Sequence, residues 1–153
     1  MSDLFQEPDN ATPLTPDEKH QLIPAHIAYR SELNEAEQEN IARAQDWALG
    51  RRRNLLREKF IKDLHRRMLG DVWRWAGKFR TSERNLGIAP FPNGNGRHAR
   101  LMADLLVMSL AGERLSWGRA SLRNAGNMRQ RYIAALAAAD KHDIGPLLAF
   151  ARS

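Results

Sequence analysis

The sequence contains no cysteine. This excludes a disulfide scaffold, a thiolate zinc site and a cysteine nucleophile. No run approaches the roughly 18 apolar residues that a membrane span requires. The opening residues MSDLFQEPDN also lack the apolar core of a signal peptide. The expectation is therefore a cytoplasmic protein with no membrane partner. Period-two alternation of useful length is missing too, so the chain does not read as strand-built. What is present is 153 residues, enough for one domain that buries its own core.

Charge is unevenly placed. Residues 1–40 hold nine acids against Lys19 and Arg30, a net of −7, whereas residues 41–153 hold nine acids against 22 bases, a net of +13. An acidic arm (1–40) thus precedes a basic body (41–153), and the arm can fold back over the body. The body's charge suits a polyanion: nucleotide phosphates, an acidic protein or nucleic acid. Two solvated faces would give the same arithmetic.

Helical signals run along nearly the whole chain. Residues 1–13, with Pro8 and Pro13, read as a loose lead-in. Thr15-Pro16-Asp17-Glu18 is a capping box that starts a short helix ending near Ile23. Asn34 and Glu37 predict a second start, with the helix running to Gly50. Leu56, Phe60, Leu64 and Met68 recur every four residues within 51–69, and Gly70 is a natural stop. A loop over Ala89–Gly96 precedes an apolar helix from about His98 to Ala111. Further helices are expected over Trp117–Asn124, Met128–Asp140 and Ile144–Ala151. The fold class is all-α.

The segment Phe91-Pro92-Asn93-Gly94-Asn95-Gly96-Arg97-His98-Ala99-Arg100 stands apart. Glycines allow a ligand to approach the backbone closely. A helix N-terminus just beyond them presents unpaired N–H groups and partial positive charge to an anion. Arg97 and Arg100, three apart, share a helix face and can grip one polyphosphate with forked hydrogen bonds. A helix-linking turn followed by solvated arginines is the plainer alternative.

Ala89 to Arg100 closely resembles the signature loop of Fic-domain proteins, H-x-F-x-[DE]-G-N-G-R-x-x-R. Phe91, Gly94, Asn95, Gly96, Arg97 and Arg100 match in register. Trp75-Ala76-Gly77-Lys78-Phe79-Arg80-Thr81 resembles the stretch entering that family's target-docking flap, and Tyr132 through Phe150 resembles its last helices. Over residues 30–153 the chain is most similar to the mobile mystery protein B branch. The resemblance implies a Fic-like helical bundle that transfers AMP from ATP to a Ser, Thr or Tyr hydroxyl of a target protein. It implies an anion hole at Gly94, Asn95 and Gly96, with Arg97 toward the β-phosphate and Arg100 toward the γ-phosphate. Mg²⁺ would neutralise the phosphate oxygens, and Tyr132 would either line the adenine side or pack in the core. The implied context is a toxin–antitoxin-like system with a regulator partner. Nucleic acid is not expected as a partner.

Three departures qualify the resemblance. Ala89 stands at the catalytic-histidine position, and a methyl group accepts no proton, so the chain as written should bind nucleotide but transfer poorly. His98 points to a surface or phosphate-side contact and is a weak substitute. Asn93 replaces the motif acid and is at best a weak Mg²⁺ ligand. The family's β-hairpin flap and following helix would lie where Ile88 abuts Ala89. That flap is either deleted or lost from the sequence as read, the second being expected.

The family is often restrained by a helix bearing [ST]-x-x-x-E-[GN], whose glutamate pairs with the second motif arginine. Glu35-Ala36-Glu37-Gln38-Glu39-Asn40 matches its Glu-Asn end. The expected inhibitory contact is Glu39 to Arg100, with Glu35 as the second choice. The rival to a restrained enzyme is a non-catalytic module that binds nucleotide or protein.

Overall fold

A computed structural model describes residues 13–81, 90–119 and 125–153. Among them the chain forms six helices: α1 (Pro16–Gln21), α2 (Arg30–Leu49), α3 (Glu58–Leu69), α4 (Asn95–Ser109), α5 (Ala125–Asp140) and α6 (Gly145–Ala151). Extended pairing among the described residues is confined to two isolated bridges, Pro13 with Tyr29 and Leu22 with Trp73. The class is all-α. Residues 1–12 of the lead-in, Ala89 and the later part of the helix expected over 117–124 lie outside the described residues.

The capping box forms as read. Thr15 Oγ1 accepts the Glu18 N–H at 3.3 Å, and the Glu18 carboxylate accepts the Thr15 N–H at 2.9 Å. Helix α1 buries no residue of its own. Its flanks hold it instead: Ile23 N–H donates to Val72 O (2.8 Å) and Arg74 N–H to Gln21 O (3.0 Å). Arg30 adds a 2.8 Å ion pair to Glu18.

Helix α2 starts four residues before the expected Asn34. The cause is Glu32, whose carboxylate accepts the N–H groups of Ala28 and Tyr29 at 2.8 and 3.2 Å. That satisfies donors a helix start would otherwise leave open. The proposed boundary at residues 40 and 41 therefore falls inside one continuous helix. Leu14, Leu22, Ile27 and Leu33 from the acidic segment share a core cluster with Leu64, Met68 and Leu105 from the basic one. The charge division is real, but it does not divide the fold.

Helix α3 carries the stripe Phe60, Leu64 and Met68, all buried. Leu56 does not belong to it: residues 51–57 form the connection before the helix, and Leu56 is 76% exposed. Gly70 ends α3 as expected, its N–H donating to Arg66 O at 2.6 Å. Leu64, Met68 and Leu69 have no exposed surface, each such side chain contributing about 1.5–3 kcal/mol of burial. Ala44 and Ala48 of α2 and Leu101 and Leu105 of α4 complete this core.

A smaller cluster joins Met128, Ala135 and Phe150 with Trp117, Tyr132 and Leu147. Asp104 of α4 links it to the main body. This buried carboxylate accepts from Trp117 Nε1 at 2.8 Å and from Arg114 Nε at 2.9 Å. The backbone N–H groups of Ser116 and Trp117 then donate to Ala151 O at the end of α6.

Candidate functional site

The loop ahead of α4 is fixed by its own sequence. Phe91 is fully buried and stacks on the His65 ring, centroids 3.7 Å apart at 6°. Asn95 clamps the turn in both directions: Oδ1 accepts the Phe91 N–H at 3.0 Å, and Nδ2 donates to Phe91 O at 2.8 Å. Gly94 occupies the left-handed region, φ 74° and ψ 8°. A Cβ there would stand 2.5 Å from Leu69 Cδ1 and displace that side chain, and the left-handed backbone itself favours glycine. Gly94 also offers α4 no side-chain cap, so the first N–H groups of the helix lack an internal partner.

A cleft of about 570 Å³ opens at this helix start. Asn93, Gly94, Asn95, Gly96, Arg97 and Arg100 line one side, Arg30, Asn34, Glu37 and Gln38 of α2 another, and Arg129 and Tyr132 of α5 a third. Loop, both arginines and Tyr132 are thus brought together around one space. The Arg100 guanidinium sits 5.4 Å from the Tyr132 ring centroid, within cation–π range. Tyr132 lines the cleft and also packs on Phe150 (5.3 Å between centroids).

The acid that α2 delivers is Glu37. Its Oε2 accepts from Arg97 Nη1 at 2.8 Å and its Oε1 from Trp73 Nε1 at 2.6 Å. Glu37 is 6% exposed, whereas Glu35 and Glu39 are both exposed. The expected choice of Glu39, with Glu35 second, is therefore corrected. Two residues turn a helix by about 200°, so Glu35 and Glu39 face away when Glu37 faces in. Glu37 pairs with Arg97, the first arginine of the motif. Glu37 was legible: it lies seven residues before buried Ala44, on the same helix face.

His98 does not line the cleft. It is buried, and its Nε2 donates to Ile61 O at 3.0 Å. The first turn of α4 packs this face onto α3, which removes His98 as a substitute base. Ala89 lies outside the described residues. On either side of that stretch the chain meets itself, Arg80 N–H donating to Pro90 O at 2.7 Å.

His65 is a residue against the loop that the sequence did not single out. It is wholly buried, with Nε2 on Asn93 O and Nδ1 on Gly77 N–H, each at 2.9 Å. Its partners lie 12 and 28 residues away, so no local pattern announces them.

Burial pushes the His65 imidazole down to about 4, against the hydrogen bond to Asn93 and with help from His98 and Arg97. Burial likewise lowers His98, partly offset by its bond to Ile61. Both rings stay neutral when folded but take a proton near 6.5 when unfolded. The unfolded chain then binds more protons below that value, so stability is full above pH 6.5 and is lost as pH falls toward 4. Thermal unfolding should show a falling Tm across this window, with a smaller slope in His65→Gln.

The loop offers Mg²⁺ only a weak donor of its own. Asn93 is a neutral amide, and its Oδ1 already accepts the Gly94 N–H at 2.7 Å. No group of three or more histidines and carboxylates suited to a metal occurs among the described residues. Also among them, no helix is long and apolar enough to cross a membrane.

No family model, curated protein or solved structure matches this chain.

Proposed function

We propose that the cleft binds the phosphates of a nucleoside triphosphate. ATP is the nucleotide implied by the Fic resemblance, and AMP transfer to a protein Ser, Thr or Tyr hydroxyl is the implied reaction. The observation that carries the reading is the convergence of Arg97, Arg100 and the Gly94-capped start of α4 on one cleft. Fixed guanidinium forks and helix N–H groups are the donors that triphosphate oxygens require. Such chemistry relies mainly on positioning and on charge stabilisation around phosphorus.

In this reading Glu37 restrains the site. It occupies Arg97 from the acidic N-terminal segment and competes with a phosphate for the same fork. A regulator partner, antitoxin-like by the resemblance, would act by keeping or releasing that pair.

A second reading, a non-catalytic nucleotide-binding module, is favoured by one observation. The two imidazoles nearest the loop, His65 and His98, are both buried with Nε2 on a backbone carbonyl, and position 89 is alanine. Neither ring is open to take a proton from an attacking hydroxyl.

Calorimetric titration with ATP tests the shared premise. A charge-assisted bond to phosphate is worth about 1.5–3 kcal/mol, so Arg100→Ala should weaken ATP roughly 10–100-fold. Glu37→Gln frees the Arg97 fork and should tighten it. Absence of ATP binding by both the wild type and Glu37→Gln at millimolar concentration would sink both readings. Binding of DNA with steep salt dependence, little altered by Arg100→Ala, would replace them with a nucleic-acid binder.

A further inference from the structure

We infer that His65 is the positioning residue of the phosphate loop: a neutral, Nε2-protonated imidazole that ties the 77–80 segment to the 91–94 turn and thereby sets the direction of the α4 N-terminus. As a statement about phosphate affinity, this rests on the nucleotide reading of the cleft. As a statement about loop geometry, it stands alone.

The tautomer follows from the partners. A backbone N–H can only donate, so Nδ1, 2.9 Å from Gly77 N, must carry the lone pair. Asn93 O can only accept, so Nε2, also at 2.9 Å, carries the hydrogen. A doubly protonated ring would oppose two donors at Gly77. Only one protonation state therefore satisfies both contacts. The environment selects the same state, since burial, Arg97 and the neighbouring His98 all disfavour a charged ring.

The two contacts join segments that are distant in sequence but side by side in space. Gly77 has φ 75°, and a Cβ there would lie 2.5 Å from the Arg66 Cβ, so this backbone is pressed against α3 with its N–H aimed at the ring. On the other side the ring stacks on Phe91, and its Nε2 bonds the carbonyl of the residue before Gly94. Phe79 packs against Phe91 (5.3 Å between centroids), so the segment and the turn also touch directly. His65 reaches both through its two ring nitrogens. The Asn93 carbonyl it holds belongs to the peptide that supplies the Gly94 N–H. Fixing this peptide plane fixes the point from which α4 starts.

The experiment compares wild type, His65→Gln and His65→Phe. Glutamine can place its Nε2 donor near the Asn93 carbonyl, whereas phenylalanine keeps only volume and the stack on Phe91. Thermal melts record folding, and titration with inorganic triphosphate records the site. In ¹⁵N-labelled protein, the His65 ring signals and the amides of Gly94, Asn95 and Gly96 report the loop without ligand.

The expected result has three parts. His65 titrates as the Nε2-protonated tautomer. His65→Phe displaces those amides and weakens triphosphate at least tenfold in a folded protein, and His65→Gln recovers most of both. An Nδ1-protonated ring, or loop amides and triphosphate affinity unchanged in His65→Phe, would overturn the inference. If His65→Phe does not fold, the tautomer and the His65→Gln amides decide it. If wild type and variants alike ignore triphosphate while the amides move as expected, the nucleotide reading fails and the positioning role survives.

Discussion

An imidazole supplied at position 89 by Ala89→His, together with Glu37→Gln, is expected to turn an ATP binder into a protein that transfers AMP. The assay is incorporation of label from α-labelled ATP into protein, including the chain itself. The expectation rests on the resemblance of residues 89–100 to the Fic loop, in which position 89 carries the general base. General-base catalysis contributes about 10²–10⁴-fold, which sets the gain to be sought over the Ala89 chain. Glu37→Gln belongs in the experiment because Arg97 is engaged by the Glu37 carboxylate at 2.8 Å. Glutamine removes the competing charge while leaving an amide oxygen for the Trp73 indole. Labelling by the double variant, lost on adding Arg100→Ala, would support the enzyme reading. Tight ATP binding without labelled product would leave the binding module as the function.

Much of the fold was legible because its determinants are local. The capping box at Thr15, the apolar stripe of α3 and the glycine stop at Gly70 each depend on residues within a turn or two. The errors also have local causes. The start of α2 was misplaced because Glu32 caps two preceding N–H groups, a signal equal in kind to Asn34 and Glu37 but earlier in the chain. Leu56 fitted the four-residue period yet fell outside the helix, since period alone does not say where a helix begins. The turn ahead of α4 was legible as a loop from its prolines and glycines. Which acid meets it was obscured by attention to a Glu-Asn motif, although the buried face of α2 already selected Glu37. His65 was not legible at all. Its role depends on Gly77 and Asn93, which only the tertiary fold brings to the two sides of one ring.

Arg97→Ala should destabilise the protein far more than removal of any surface arginine, independently of what the cleft binds. Glu37 is 6% exposed, and its carboxylate is held by Arg97 and the Trp73 indole together. Removing Arg97 leaves a buried carboxylate with one neutral donor. Breaking a buried pair in this way typically costs about 3–5 kcal/mol. For a domain of this size that corresponds to a fall in Tm of roughly 6–20 °C. The internal control is Arg66, which is 65% exposed and pairs with Asp63 at 2.7 Å, while Asp63 keeps Lys59 as a second partner. Screened by solvent, that pair is worth about 0–1 kcal/mol, so Arg66→Ala should leave Tm nearly unchanged. The double variant Arg97→Ala, Glu37→Gln should recover part of the loss, because a neutral amide tolerates burial with a single partner better than a charge does. Equal Tm values for Arg97→Ala and Arg66→Ala would show that Glu37 is hydrated rather than buried. The pair would then be a surface contact, and its ability to hold Arg97 away from a phosphate would go with it.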